Sequence, residues 1–170
     1  MQELPTHGGS LRIFAARENA AREEGSAIAK VLADEEAAGL GHLDAYAAFG
    51  EQVIRTKHAL LSYLIRMREE GKRVAAYGAP GKGNTLLNYC GIRTDLVEFA
   101  VDRNPFKHGL YTPGTHIPIH PVEQVDERKP DRLLILPWNL REEIARQMAY
   151  IRDWEGRFAV PIPEVEEFDA

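Results

Sequence analysis

The stretch that most restricts the fold is Val74-Ala75-Ala76-Tyr77-Gly78-Ala79-Pro80-Gly81-Lys82-Gly83-Asn84-Thr85. A short apolar run leads into a glycine-rich turn, and the turn opens a helix beginning near Asn84. A parallel sheet passes its chain to a first crossover helix in this way. Backbone N–H groups are then left free for an anion, and glycine allows a ligand to approach the backbone closely. The segment points to an α/β domain with a ligand edge beyond its strand ends.

The rest of the chain agrees. Strands are expected at 73–77, 97–101, 117–119, 132–137 and 158–161, with helices at 84–90 and 140–154 and a helical turn at 122–127. This alternation predicts a three-layer domain of about five mostly parallel strands with helices on both faces. Pro118 in the third strand fits an edge position. Before the domain lies a helical segment. Residues 19–38 are rich in Ala and Glu, and 43–70 carry Phe49, Val53, Leu60, Leu64 and Met67 at intervals of three, four or seven, which predicts one buried stripe. Gly71 closes that helix as a C-cap. Leu11-Arg12-Ile13-Phe14-Ala15 alternates like a strand with no partner close by in sequence.

In an open sheet of this type, ligands bind beyond the carboxyl ends of the strands, where the strand order reverses. Three segments fall there: 78–84, 102–115 and 137–139. The first is neither a Walker loop nor a dinucleotide fingerprint. Only Ala79 and Pro80 separate Gly78 from Gly81-Lys82, and the glycines read Gly-x-x-Gly-x-Gly, the reverse of the dinucleotide spacing. Asp102 ends the second strand, where a nicotinamide-binding protein holds its ribose. In 102–115, Pro105 and Pro113 stiffen the chain and Gly109 and Gly114 permit tight turns. Arg103 and Lys107 are placed to neutralise a diphosphate, with Lys82 as a third cation; the alternative is a solvated surface loop. Trp138 and Asn139 are suited to stacking on, or hydrogen-bonding to, a base or sugar, and Trp138 equally to packing.

Other chemistries find little support. His108, His116 and His120 lie on a proline-broken loop and strand without an acidic ligand spaced among them, which argues against a metal. Glu142 and Glu143 open a helix, where negative charge is favourable without any catalytic role. Ser10, Ser26 and Ser62 are on no strand-to-helix elbow. The lone Cys90 excludes a disulfide framework. A net charge of −5 argues against general nucleic-acid binding, and no window reaches the roughly 20 apolar residues of a membrane span. The expectation is a soluble cytoplasmic protein that binds a small molecule.

Three blocks carry a family resemblance: Tyr77-Gly78-Ala79-Pro80-Gly81-Lys82-Gly83-Asn84-Thr85 with Asn88-Tyr89; Val101-Asp102-Arg103-Asn104-Pro105-Phe106-Lys107; and Tyr111-Thr112-Pro113-Gly114-Thr115-His116-Ile117-Pro118. Together they resemble the C-terminal domain of S-adenosylmethionine-dependent sugar C-methyltransferases, enzymes acting on nucleotide-linked deoxyketosugars. The resemblance implies a Rossmann-like domain over 72–170 that helps hold the nucleotide-sugar, preceded by a helical segment over 18–71. It implies substrate-binding roles for Gly78, Ala79, Gly81, Lys82, Gly83, Asn84, Asn88, Tyr89, Asp102, Pro105, Lys107, Pro113, Gly114, Trp138 and Asn139. Thr6-His7-Gly8-Gly9-Ser10-Leu11-Arg12 looks like the last strand of the family's methyltransferase domain, so 1–17 is expected to be its remnant. No zinc-type cysteine cluster or methyltransferase glycine loop precedes it. S-adenosylmethionine is therefore expected in a companion methyltransferase domain or chain, with no cofactor bound here and no methyl transfer by this chain alone. A strand left without its sheet is expected to be disordered or to self-associate, most simply as a symmetric dimer. Two other readings stay open: a fragment of an NAD(P)-binding oxidoreductase, and a purely structural domain.

Overall fold

The computed structural model describes residues 1–6, 9–17, 19–20 and 25–169. The chain divides into two compact units, Met1–Val53 and Ile54–Ala170. In the first, β1 (Gln2–Leu4) pairs antiparallel with β2 (Ser10–Arg12), Glu3 opposite Leu11. The expected orphan strand thus has a partner within the chain, and its register ends at Arg12, short of Ala15. Helix α1 (Ser26–Ala37) follows and buries no residue. His7, Gly8 and residues 21–24, which the sequence reading placed in the family-like strand and in this helix, lie outside the described residues.

Helix α2 (Leu43–Glu69) spans the division between the units. Its expected stripe is only half realised. Leu60, Leu64 and Met67 are buried, whereas Phe49 is 63% exposed. Gly71, at φ +70°, ends the helix as expected, and the Lys72 amide returns to the Met67 carbonyl at 2.8 Å.

The second unit is an α/β sandwich. Its sheet runs β5-β4-β3-β6-β7-β8, from β3 (Val74–Tyr77), β4 (Ala100–Val101), β5 (Ile119–His120), β6 (Arg132–Ile135), β7 (Arg157–Val160) and β8 (Glu166–Asp169). The first five are mutually parallel. β8 is antiparallel to β7 and was not expected, because Glu166-Glu167-Phe168-Asp169 reads as polar chain. It is held from outside the strand pattern: Glu167 accepts hydrogen bonds from Arg132 (2.9 Å), Arg157 (2.6 Å) and the Tyr63 hydroxyl (3.1 Å).

Period-two alternation divides the core. Val74, Ala76, Leu134 and Ala159 face α2 and α3 (Gly81–Cys90), packing with Leu60, Leu64, Leu87 and Cys90. Ala75, Tyr77, Leu133, Ile135 and Phe158 face the other way, onto Val125 of α4 (Gln124–Arg128), Ile144 of α5 (Arg141–Gln147) and Met148. Both faces are covered, as the near-continuous apolar strands require. The chain starts mid-sheet at β3, steps outward to β5, then crosses back to β6. The reversal of strand order therefore lies between β3 and β6, whose ends are level, Tyr77 opposite Ile135.

Candidate functional site at the strand-order reversal

The turn after β3 and the end of β6 meet at the reversal. Gly78 has φ +82°, and a Cβ there would lie 2.8 Å from the Pro137 ring. At Gly83 a Cβ would lie 2.8 Å from the Leu136 Cβ. These two glycines are thus required by packing of the turn and helix on β6. Gly81 differs. It opens α3, and nothing lies within 4 Å of where its Cβ would be. The helix begins there, three residues earlier than the sequence suggested, with Pro80 at the N-cap and no side-chain cap. Its first amides are consequently left without an intrahelical acceptor.

Lys82 stands beside this opening. Its ammonium donates to the Asn139 side-chain oxygen and sits 4.2 Å from the centre of the Trp138 ring. Trp138 and Asn139 belong to a 3-10 turn, Trp138–Leu140, and Trp138 also packs on the second core. Partial burial shifts the Lys82 ammonium below its ordinary range. The side-chain oxygen of Asn84, one turn on, is buried without a hydrogen-bond partner.

Asp102 has a different role. Its carboxylate accepts the Ala79 amide (2.8 Å), the Asn104 amide (2.9 Å) and the Lys107 ammonium (2.8 Å). Lys107 also donates to the Ala79 carbonyl at 3.0 Å. Burial alone would raise this carboxyl, but the bonds from Lys107 and the two amides outweigh it and hold the group below its usual range. With three of roughly four acceptor positions filled, Asp102 is committed to fastening the 102–107 segment onto the glycine turn.

The segment 102–115 is correspondingly ordered. Asn104 caps a 3-10 turn, Pro105–Lys107, and the Gly109 amide reaches the Ile119 carbonyl at 2.9 Å. The Thr112 and Thr115 hydroxyls are buried and bonded to each other at 2.6 Å. Asn88 ties the segment to α3, donating to the Asn84 carbonyl (2.8 Å) and the Pro113 carbonyl (2.9 Å), with Gly114 directly over its side chain. Pro105 is exposed. Tyr89 does not join the cluster; it faces Lys57 of α2, 5.1 Å from its ring centre.

His108, His116 and His120 do not converge. The His108 Nε2 donates to the Asp102 carbonyl at 2.7 Å, His116 is near Tyr111, and His120 is edge-on to Phe99. Among the described residues, no group of three His, Cys, Asp or Glu is placed to hold a metal, and no helix is long and apolar enough to cross a membrane.

The sequence reading missed the open cleft of about 700 Å³ next to the turn, on the side of α4 and α5. Tyr77, Asp102, Arg103, His108, Gln147 and Tyr150 line it. Arg103 is 3.8 Å from Glu143. Gln147 ends α5 and Tyr150 lies in the 3-10 helix that follows it, far along the chain, and only the strand order brings them beside β3 and β4.

Residues 5–163 match the family described as the C-methyltransferase C-terminal domain. The chain belongs to that family. It is also 37% identical over 158 residues to the C-methyltransferase NovU of Streptomyces niveus, an alignment covering 93% of this chain and 38% of NovU. The chain thus spans well under half the length of this relative. The five parallel strands of its Rossmann-like sheet, the glycine turn and the fastened 102–115 segment all fall within the matched residues; β8 lies beyond them.

Proposed function

We propose that this domain holds a nucleotide-linked deoxysugar for a C-methyltransferase, with its diphosphate at the opening of α3. The observation that carries the reading is Lys82. It is a cation set by Asn139 and Trp138 beside the uncapped first turn of a helix, at the strand-order reversal. No acidic residue occupies that turn, so helix dipole and ammonium act on an anion together. Lys107 has one N–H left after its two internal bonds, and its share is smaller. S-adenosylmethionine is held by the companion methyltransferase portion, and methyl transfer needs both parts.

The nicotinamide reading is disfavoured by Asp102, whose carboxylate is taken up within the protein. Thermal shift with a deoxythymidine diphosphate-sugar, NAD(H) and NADP(H) separates the readings. Ligand at 100 times its dissociation constant adds ~2.7 kcal/mol of stability, and the sugar nucleotide is expected to produce that shift. Losing a charge-assisted contact costs ~1.5–3 kcal/mol, so Lys82→Ala should abolish most of it. A shift with NAD(H) and none with the sugar nucleotide reverses the assignment.

A further inference from the structure

The cleft adjoins the glycine turn that leads to the Lys82 opening. Tyr77 lines the cleft and its neighbour Gly78 begins the turn, while Asp102 lines the cleft and bonds the turn's Ala79 amide. Trp138 packs on the same core as Tyr77 and carries Lys82 over its ring. The two places nevertheless differ in chemistry. Around Lys82 the helix opening presents a cation and free amides. The cleft mixes signs: Arg103 is set against Glu123 and the committed Asp102. Much of its remaining lining is aromatic or apolar, from Tyr77, Val122, Met148 and Tyr150. Such a lining suits a flat uncharged ring with a polar edge far better than a diphosphate.

The polar edge has a partner in Gln147. Its amide nitrogen donates to Glu143 at 2.8 Å, and its oxygen receives only a long bond, 3.4 Å, from the Tyr77 hydroxyl. One N–H and one acceptor position are left to face the cleft, the donor–acceptor pair that the edge of a nucleobase requires. We infer that this cleft is the nucleoside end of the site, with Gln147 reading the base edge and Arg103 closing over the ring, while Lys82 takes the diphosphate. The inference rests on the nucleotide-sugar reading above and extends it to residues that reading does not use. Burial raises the Tyr77 and Tyr150 phenols of the cleft wall above the ordinary range.

The experiment is titration calorimetry on the 170-residue chain with thymidine diphosphate and, separately, with inorganic pyrophosphate, which carries no base. Gln147→Ala and Arg103→Ala are both at exposed positions, so neither change threatens folding. Each is expected to weaken thymidine diphosphate binding about fivefold or more, the size of a lost hydrogen bond, and to leave pyrophosphate unchanged. Lys82→Ala should weaken both ligands. Thymidine diphosphate affinity unaltered in both cleft variants but lowered in Lys82→Ala would overturn the assignment of the cleft while leaving the diphosphate site in place. A chain that binds neither ligand overturns the nucleotide reading and this inference together.

Discussion

Asp102→Ala is the substitution whose consequence follows most directly from the geometry. It removes one acceptor from three donors: the Ala79 amide, the Asn104 amide and the Lys107 ammonium, all within 2.9 Å. Lys107 is about one-third exposed and can turn to water, so its loss is modest. Ala79 is 6% exposed, and its amide is stranded. An unsatisfied buried donor costs ~1–3 kcal/mol and the partly exposed Lys107 bond ~1–2 kcal/mol, giving about 2–5 kcal/mol in all. Lys107→Met leaves both amides satisfied and should cost only ~1–2 kcal/mol. Urea unfolding near neutral pH measures both differences. The pH dependence has a definite sign. A carboxyl whose folded pKa is depressed stabilises the fold above its unfolded pKa, and that contribution disappears as pH falls through the folded value. The gap between the natural protein and Asp102→Ala should therefore narrow below the usual carboxylate range. A loss under 1 kcal/mol, or a gap that stays constant on acidification, would refute the fastening role.

Two further outcomes follow from packing. Gly83→Ala sets a methyl 2.8 Å from the Leu136 Cβ and should destabilise by ~1–3 kcal/mol, whereas Gly81→Ala meets open space and should leave the melting temperature equal or higher; similar losses at both positions would contradict the geometry. Glu167→Ala strands Arg132, which is only 7% exposed, so a loss of ~3–5 kcal/mol in denaturant unfolding is expected, and a near-neutral variant would mean that β8 is held by other contacts.

The sheet was legible because fully buried parallel strands announce themselves: Ala75-Ala76-Tyr77 and Leu133-Leu134-Ile135 are apolar without a break and are bounded by glycine and proline. β8 was not, because its residues read as polar chain and Glu167 finds partners in Arg132 and Tyr63, which are distant in sequence, as well as in Arg157 of the neighbouring strand. Phe49 illustrates a second limit. Spacing places it in the same stripe as Leu60 and Leu64, but periodicity does not tell how far along a helix the packing partner extends. At the site, the sequence gathered the three strand-end segments correctly by topology alone. It did not distinguish Lys82, which stands at the open helix end, from Lys107, which is bonded inward to Asp102 and Ala79. Gln147 carries no local signal, being one more polar residue on the exposed side of a short helix.

The contacts of Pro137 on Gly78 and Leu136 on Gly83 make two remote stretches of chain into one mechanical part. Neither stretch can drift in sequence by itself. A bulkier residue in the turn needs a smaller one at the end of β6, and a graft of residues 136–139 from another member of the family brings its own demand on positions 78 and 83. Loop exchanges meant to alter what the domain accepts therefore have to move both stretches at once, and the unit of inheritance at this edge is the pair.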